Sequence, residues 1–267
     1  MTASPAAAAP TDAKAPAEID AIATEIFALL GTGRQIAPFT ARSGGTAGLT
    51  VEDAYRVSAA LNAMRQARGE KPLGRKIGFT NRTIWREYGV YAPIWGFVYD
   101  RTVHELDATA ALSLAGFAEP RIEPEIVLGL AAAPSADMDE TALLSCVEWV
   151  AHSFEIVQSI FPQWKFAAAD TIAANGVHGA LLIGPRHPVA PHAVEWQAKL
   201  ARFDIDLFCD GRHIDRGNAV NVLDGPLAAG EIVTTGTLTR AMPVKPGETW
   251  TTTLSGIPLD GIRLRFT

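Results

Sequence analysis

The sequence predicts an α+β protein, helical over its first quarter and β-rich beyond it. Apolar residues recur at helical spacing as far as Gly69 and then stop doing so. From Gly74 onward they come as short runs cut by Gly and Pro, which is the signature of strands. These strands do not alternate with long helices, so a doubly wound parallel sheet is not expected.

Residues 1–16 read as a disordered tail, rich in Ala and Pro, with Lys14 its one basic residue. It lacks the charged start and leucine-rich core of a secretion signal. Residues 17–73 form a helical N-terminal part. Ile19, Ile22, Ile26 and Leu29 make one stripe that ends at Gly31, and a loop follows at Gly44, Gly45 and Thr46. Thr50 caps a second helix, with Asp53 three residues on and Val57, Leu61 and Met64 as its buried stripe.

Residues 74–267 form a β-rich catalytic domain. Its expected strands are Arg75–Phe79, Gly96–Tyr99, Arg121–Leu128, Phe154–Gln158, Val177–Ile183, Arg202–Phe208, Glu231–Thr235, Thr249–Leu254 and Ile262–Phe266. Helices are expected at Glu140–Val150 and Ala167–Ala174, and glycine turns at Leu227–Glu231 and Val244–Glu248.

Composition narrows the function. With 48% hydrophobic and 19% charged residues in 267, the chain can bury a sizeable core. A net charge of −6 with scattered basic residues argues against a nucleic-acid partner. Cys146 and Cys209 stand far apart in no CxxC pattern, so neither a disulfide framework nor a zinc-thiolate site is expected. No apolar stretch is long enough to span a bilayer, so no membrane partner is expected and the location read from the sequence is cytoplasmic. The Gly31-Thr-Gly33 turn lacks the third glycine and the preceding strand of a dinucleotide site. A small anionic substrate stays compatible, because one local positive centre outweighs a mildly negative average.

The most informative segment is Arg121-Ile-Glu123-Pro-Glu125-Ile-Val-Leu-Gly129. Side chains two apart on a strand share a face, so Glu123 and Glu125 project side by side. Held in a partly dry place, they resist joint ionisation unless a cation joins them, and hard oxygen donors suit Mg2+ or Mn2+. The plainer alternative is an exposed edge strand with two solvated carboxylates. Glycosidase carboxylates flank a sugar rather than share a strand, which disfavours that chemistry.

Glu155, in the apolar run Phe154-Glu-Ile-Val157, would complete a three-carboxylate face, although such a residue is more often paired with Arg or Lys. No HxH or HExxH spacing offers a competing metal site. Lys76 lies among apolar and glycine residues in Gly74-Arg-Lys-Ile-Gly-Phe-Thr80. Either it snorkels to the surface, or it is drawn inside near a metal that lowers its pKa for proton transfer. Asp170 reads equally as a helix cap or as support for the site, and His178 as a satisfied core histidine. Trp85, Tyr88, Tyr91 and Trp95 crowd one stretch, for packing or for an apolar pocket.

Together these segments resemble the 2-keto-4-pentenoate hydratase / 4-oxalocrotonate decarboxylase family of the fumarylacetoacetate hydrolase superfamily. The likeness is carried by Gly74–Thr80, Glu119–Ile126, Phe154–Ser159 with Trp164, Asp170–Asn175 and Thr234–Thr239, in that order. It implies a β-rich mixed-sheet roll with Glu123, Glu125 and Glu155 as Mg2+ or Mn2+ ligands. It further implies Lys76 as the proton carrier, Asp170 in support, and Thr80, Gly236 and Thr237 against a small anionic 2-oxo acid, in a homo-oligomer.

The reaction so implied is hydration of a 2-hydroxydienoate through a metal-stabilised enolate. Alternatives are decarboxylation of a 4-oxalocrotonate-like diacid, acylpyruvate hydrolysis, or a non-catalytic partner subunit or binding protein with a degraded site. The chain departs from the family pattern at Ile94, Gln158 and Val177, and in a short 219–226 segment, which implies a changed substrate or outcome.

Overall fold

A computed structural model describes residues 13–42, 48–80, 85–88, 90–106, 111–135, 137–190, 192–219 and 230–267. Helices α1 (Pro16–Phe27) and α2 (Val51–Ala67) pack on each other, and α2 also packs on α5 (Ala168–Ala173). Ile19, Ile22 and Ile26 of α1 meet Val57 and Leu61 of α2 in one core, with Met64 partly buried against it. The Thr50 cap forms as its spacing requires, its hydroxyl accepting the Asp53 N–H at 3.1 Å. Order reaches back inside the 1–16 tail: α1 starts at Pro16, and the Lys14 N–H donates to Asp53 at 3.2 Å. The loop at Gly44, Gly45 and Thr46 lies outside the described residues.

The rest is built on two sheets. Strands β1 (Pro72–Gly78), β2 (Ile94–Tyr99), β3 (Val103–Glu105), β5 (Arg121–Leu130), β6 (Val147–Val157), β7 (His178–Pro188) and β10 (Ile232–Thr234) run in the order β2-β1-β10-β5-β6-β7-β3. Strand β11 (Met242–Pro243) pairs with the start of β5. The second sheet orders β4 (Ala111–Leu112), β8 (Asp204–Cys209), β9 (Arg212–Asn218), β12 (Thr249–Ser255) and β13 (Arg263–Phe266) as β4-β13-β12-β8-β9. Pairing is mixed: β1 with β10, β3 with β7 and β4 with β13 are parallel, the others antiparallel. This is the expected α+β roll.

The two sheets close on Ile122, Phe154 and Ile156 from the first and Leu207, Trp250 and Leu264 from the second. These come from one face of β5 and β6. Strand alternation therefore turns Glu123, Glu125 and Glu155 to the other face.

The expected helix Glu140–Val150 is corrected: α4 ends at Ser145 and β6 begins at Val147. The β-branched and aromatic run Val147–Val150 satisfies its backbone by pairing between β5 and β7, and cross-strand packing outweighs the helical start. Helix α6 (Ala193–Leu200) and strand β9 were not expected, because β9 is polar on both faces and α6 buries only Trp196. Most of the 219–226 segment and of the Leu227 turn lies outside the described residues. Among the described residues no helix is long and apolar enough to cross a membrane.

Candidate metal centre

Strand register brings the carboxylates together. Glu123 on β5 stands directly opposite Glu155 on β6, and Glu125 lies one same-face step along β5. One oxygen from each of the three lies within 4.8 Å of the others. Strand β5 has β10 on one side and β6 on the other, which corrects the exposed edge-strand alternative. Glu125 and Glu155 are fully buried, whereas Glu123 retains partial exposure, so the cluster opens on the Glu123 side.

Lys76 comes from β1, two strands away across β10, and is buried rather than snorkelled. Its Nζ lies 3.1 Å from Glu155 Oε2 and donates to the Gly176 carbonyl at 3.2 Å. Glu155 is thus both part of the acidic cluster and paired with a lysine, so the two sequence alternatives hold at once.

The electrostatics follow from crowding in a dry place. Burial, with Glu155 adding to it and Lys76 and Arg121 opposing, pushes Glu123 up to about 7. Burial together with Glu155 and Glu123 holds Glu125 well above the usual carboxylate range. Glu155 goes the other way: burial would raise it, but Lys76 and His178 outweigh burial and lower it.

The lowered pKa expected of Lys76 is not what its neighbours produce. Burial disfavours its charge, yet Glu155, Glu123 and Glu125 push it up to about 12, and a cation held by those carboxylates would oppose that pull. The residues fit a divalent ion. Oxygen donors surround one point, and Glu125 Oε1 is buried without a hydrogen-bond partner among the described residues.

The turn at 235–237 lies beside the cluster. Gly236 donates its N–H to Glu125 Oε2 at 3.3 Å and takes a left-handed φ of +86°. A Cβ at this position would come within 2.3 Å of Thr80 Oγ1, so glycine is what lets Thr80 and the turn meet. The Thr237 hydroxyl is turned to the Thr239 carbonyl at 2.9 Å.

Asp170 is placed otherwise than the catalytic expectation had it. Its carboxylate accepts the Ala167 N–H at 2.9 Å, as a helix cap does, and the Thr40 N–H at 3.0 Å. These partners lie on its own helix and in the Phe39–Ala41 turn, so Asp170 holds elements rather than facing the glutamates. The helix so held runs into the 175–177 turn that meets Lys76. There Asn175 clamps Phe97, accepting its N–H at 2.7 Å and donating to its carbonyl at 2.9 Å. Gly176, at φ +63°, leaves room for the Lys76 chain, whose Cδ would stand 2.8 Å from a Cβ there.

Sequence reasoning missed His178. Its Nδ1 lies 2.7 Å from Glu155 Oε1 and its Nε2 2.9 Å from Thr102 Oγ1. The ring is satisfied, as expected, but what satisfies it is a carboxylate of the cluster. Burial lowers its pKa against the pull of Glu155, so a neutral ring with the proton on Nδ1 meets both partners. The only sequence signal was a histidine at the start of an apolar strand, after a glycine turn.

His178→Leu is expected to weaken Mn2+ binding about 10- to 100-fold, the usual cost of removing a group that orients a ligand. His178→Asn, which can keep a donor near the Nδ1 position, should recover most of it. Equal Mn2+ titrations for the native and leucine proteins would contradict this role.

The positions that depart from the family pattern have ordinary structural fates. Ile94 packs in the helical core, the Gln158 side chain accepts the Ala118 N–H at 3.1 Å, and Val177 takes a left-handed φ of 57°. Of the four crowded aromatics, Trp95 stacks on Tyr55 at 5.1 Å between ring centres, whereas Tyr91 is largely exposed.

Fold and site together define a roll of the fumarylacetoacetate hydrolase type with a cluster of three carboxylates, which could hold a cation, on its larger sheet. The 4-oxalocrotonate decarboxylase from Pseudomonas putida G7, solved with magnesium and adipate, has this fold: the TM-score is 0.85 at 21% identity, over 96% of this chain and 100% of that one. No family profile matches the chain.

Among curated relatives, it is 29% identical over 252 residues to the 2-hydroxyhexa-2,4-dienoate hydratase of Comamonas testosteroni, covering 87% of this chain and 92% of the relative. It is 28% identical over 268 residues to the 2-keto-4-pentenoate hydratase of Burkholderia vietnamiensis, covering 93% and 97%. It is 28% identical over 221 residues to a 4-oxalocrotonate decarboxylase of a Pseudomonas species, covering 76% and 82%. The chain is an enzyme whose named relatives are hydratases and a decarboxylase, the kinds its motifs resemble.

Proposed function

We propose that the chain is a metal-dependent hydratase of a 2-hydroxydienoate or related 2-oxo acid, with Glu123, Glu125 and Glu155 holding Mg2+ or Mn2+. The observation that carries this reading is the three-glutamate cluster with a buried ammonium 3.1 Å from one member. When bound, the cation supplies Lewis-acid stabilisation of an enolate.

The chain's own residues do the rest. Lys76 Nζ, steered by Glu155 and the Gly176 carbonyl, carries a proton to or from the substrate skeleton. The Thr235-Gly236-Thr237 turn and Thr80 sit where a substrate carboxylate would lie beside the cation. The sheet walls exclude water from Glu125 and Glu155, which strengthens every charge interaction among them.

Decarboxylation shares these residues and is the second reading, supported by the Pseudomonas relative. Acylpyruvate hydrolysis needs a free water-activating base, and both ring nitrogens of the nearby His178 are engaged, which supports a lyase instead. We place the protein in the cytoplasm and, from the family resemblance, as a homo-oligomer.

Incubation with 2-hydroxypenta-2,4-dienoate, 4-oxalocrotonate and an acylpyruvate, each with Mg2+ and with EDTA, tests the assignment by product. Expected is 4-hydroxy-2-oxopentanoate from the dienoate, abolished by EDTA. Chelator-insensitive turnover, or cleavage of the acylpyruvate alone, would overturn it.

A further inference from the structure

We infer that the Thr234 hydroxyl holds the water molecule that adds to the substrate, between Lys76 and the glutamate cluster. The inference rests on the hydratase reading above and adds the residue that serves the second reactant.

Register places Thr234 inside the site. On β10 it is paired with Lys76 of β1 on one side and with Val127 of β5 on the other. Residues paired across strands share a face, and Val127 shares its face with Glu125 and Glu123. Thr234 therefore projects toward the glutamate side, with the proton carrier on one flank and Glu125 on the other. Two residues on, the Gly236 N–H meets Glu125 Oε2, in the turn where a substrate carboxylate would lie.

The Thr234 hydroxyl is fully buried and meets no hydrogen-bond partner among the described residues. Burial and the neighbouring glutamates raise Glu125, and the Thr234 hydroxyl is close enough to pull the other way. The other threonines of 234–239 are satisfied. Thr235 donates to the Ile126 carbonyl at 3.1 Å, Thr237 to that of Thr239 at 2.9 Å, and Thr239 to that of Arg240 at 3.1 Å. A buried hydroxyl without a partner destabilises a fold relative to a valine filling the same space, so its presence calls for a ligand.

Water fits that place better than the cation does. Carboxylates and waters are the usual ligands of such an ion, so the three glutamates answer for it and leave the hydroxyl over. A hydroxyl both donates and accepts, and two or more polar groups around an enclosed spot are what hold a buried water. Thr234, Glu125 Oε1 and the Lys76 ammonium supply such groups.

The chemistry gives this water a use. Once the 2-hydroxydienoate has become its 2-oxo-3-enoate tautomer, hydration breaks one O–H bond of water and the carbon–carbon π bond. The water oxygen bonds to C4 and Lys76 gives a proton to C3. The proton that water loses returns to Lys76, which ends as it began. By accepting one hydrogen bond from the water, Thr234 fixes where its oxygen points, and a reactant so held adds faster than one arriving from bulk.

Thr234→Val and Thr234→Ser, with Mg2+ present, test this through two rates. One is addition of water to 2-hydroxypenta-2,4-dienoate. The other is exchange of the C3 protons of 2-oxopentanoate in D2O, which uses the cation and Lys76 but adds no water. Thr234→Val is expected to slow hydration at least about tenfold while exchange stays within about twofold of native, and Thr234→Ser to recover hydration. The valine protein should melt no lower than the native one, since no satisfied hydrogen bond is lost. Hydration at the native rate in Thr234→Val, or exchange lost in the same proportion as hydration, would overturn the water-holding role and leave the metal reading intact. A native protein that exchanges the C3 protons but adds no water would overturn the hydratase reading, and this inference with it.

Discussion

Glu125→Gln is expected to lose metal-dependent turnover and to weaken Mg2+ and Mn2+ binding by at least about 100-fold, the upper end of what losing a mere orienting neighbour costs. The carboxylate is fully buried, and its Oε1 meets no hydrogen-bond donor among the described residues, so its charge has no other evident use. The amide keeps the volume, and the circular dichroism spectrum should not change.

Stability of the metal-free protein should respond with a definite sign. Burial and the neighbouring glutamates raise Glu125 well above its ordinary value of 4.5, so the folded chain keeps that proton to higher pH than the unfolded chain does. Above that ordinary value the unfolded state binds fewer protons, so the native protein without metal loses stability as pH rises. Glu125→Gln removes this contribution and should melt higher than the native protein in EDTA at neutral pH. A variant that binds Mn2+ with native affinity would remove Glu125 from the site.

The second large effect is expected at Lys76. Lys76→Met should lower turnover about 10²- to 10⁴-fold, the range spanned by a positioned proton carrier. Metal binding should persist or tighten, because an ammonium 3.1 Å from Glu155 opposes a cation at the same carboxylates. Activity loss with retained Mn2+ binding separates a proton carrier from a structural lysine, whose removal would disturb both. Turnover within about twofold of native would leave the proposed chemistry without its acid–base group.

The two replacements divide the cluster by function. In the proposed chemistry Glu125 would belong to what holds the ion and Lys76 to what moves the proton, and both would depend on Glu155. That residue meets Lys76 on one oxygen and His178 on the other, which fixes the plane of its carboxylate. A change at Glu155 would disturb both roles, which makes it the less informative position to mutate.

What was legible in the residues was whatever depends on local spacing. The Thr50 cap, the stripe of Val57 and Leu61, and the shared face of Glu123 and Glu125 follow from periods of 3.6 and 2, which neighbours in the chain impose on one another. The order of motifs added the third glutamate and the lysine.

Tertiary structure alone decided what depends on partners distant in sequence. The pairing of β5 with β6 set Glu123 opposite Glu155 and converted the expected last helical turn, Val147–Val150, into strand. It moved Asp170 to a cap and a tie to Thr40, and it recruited His178 as a hold on Glu155. It also laid Arg121 over Trp164, through left-handed residues that no local preference favours. Register and burial arise from many weak contacts formed together, and a strand's own residues do not carry the identity of what will lie across from them.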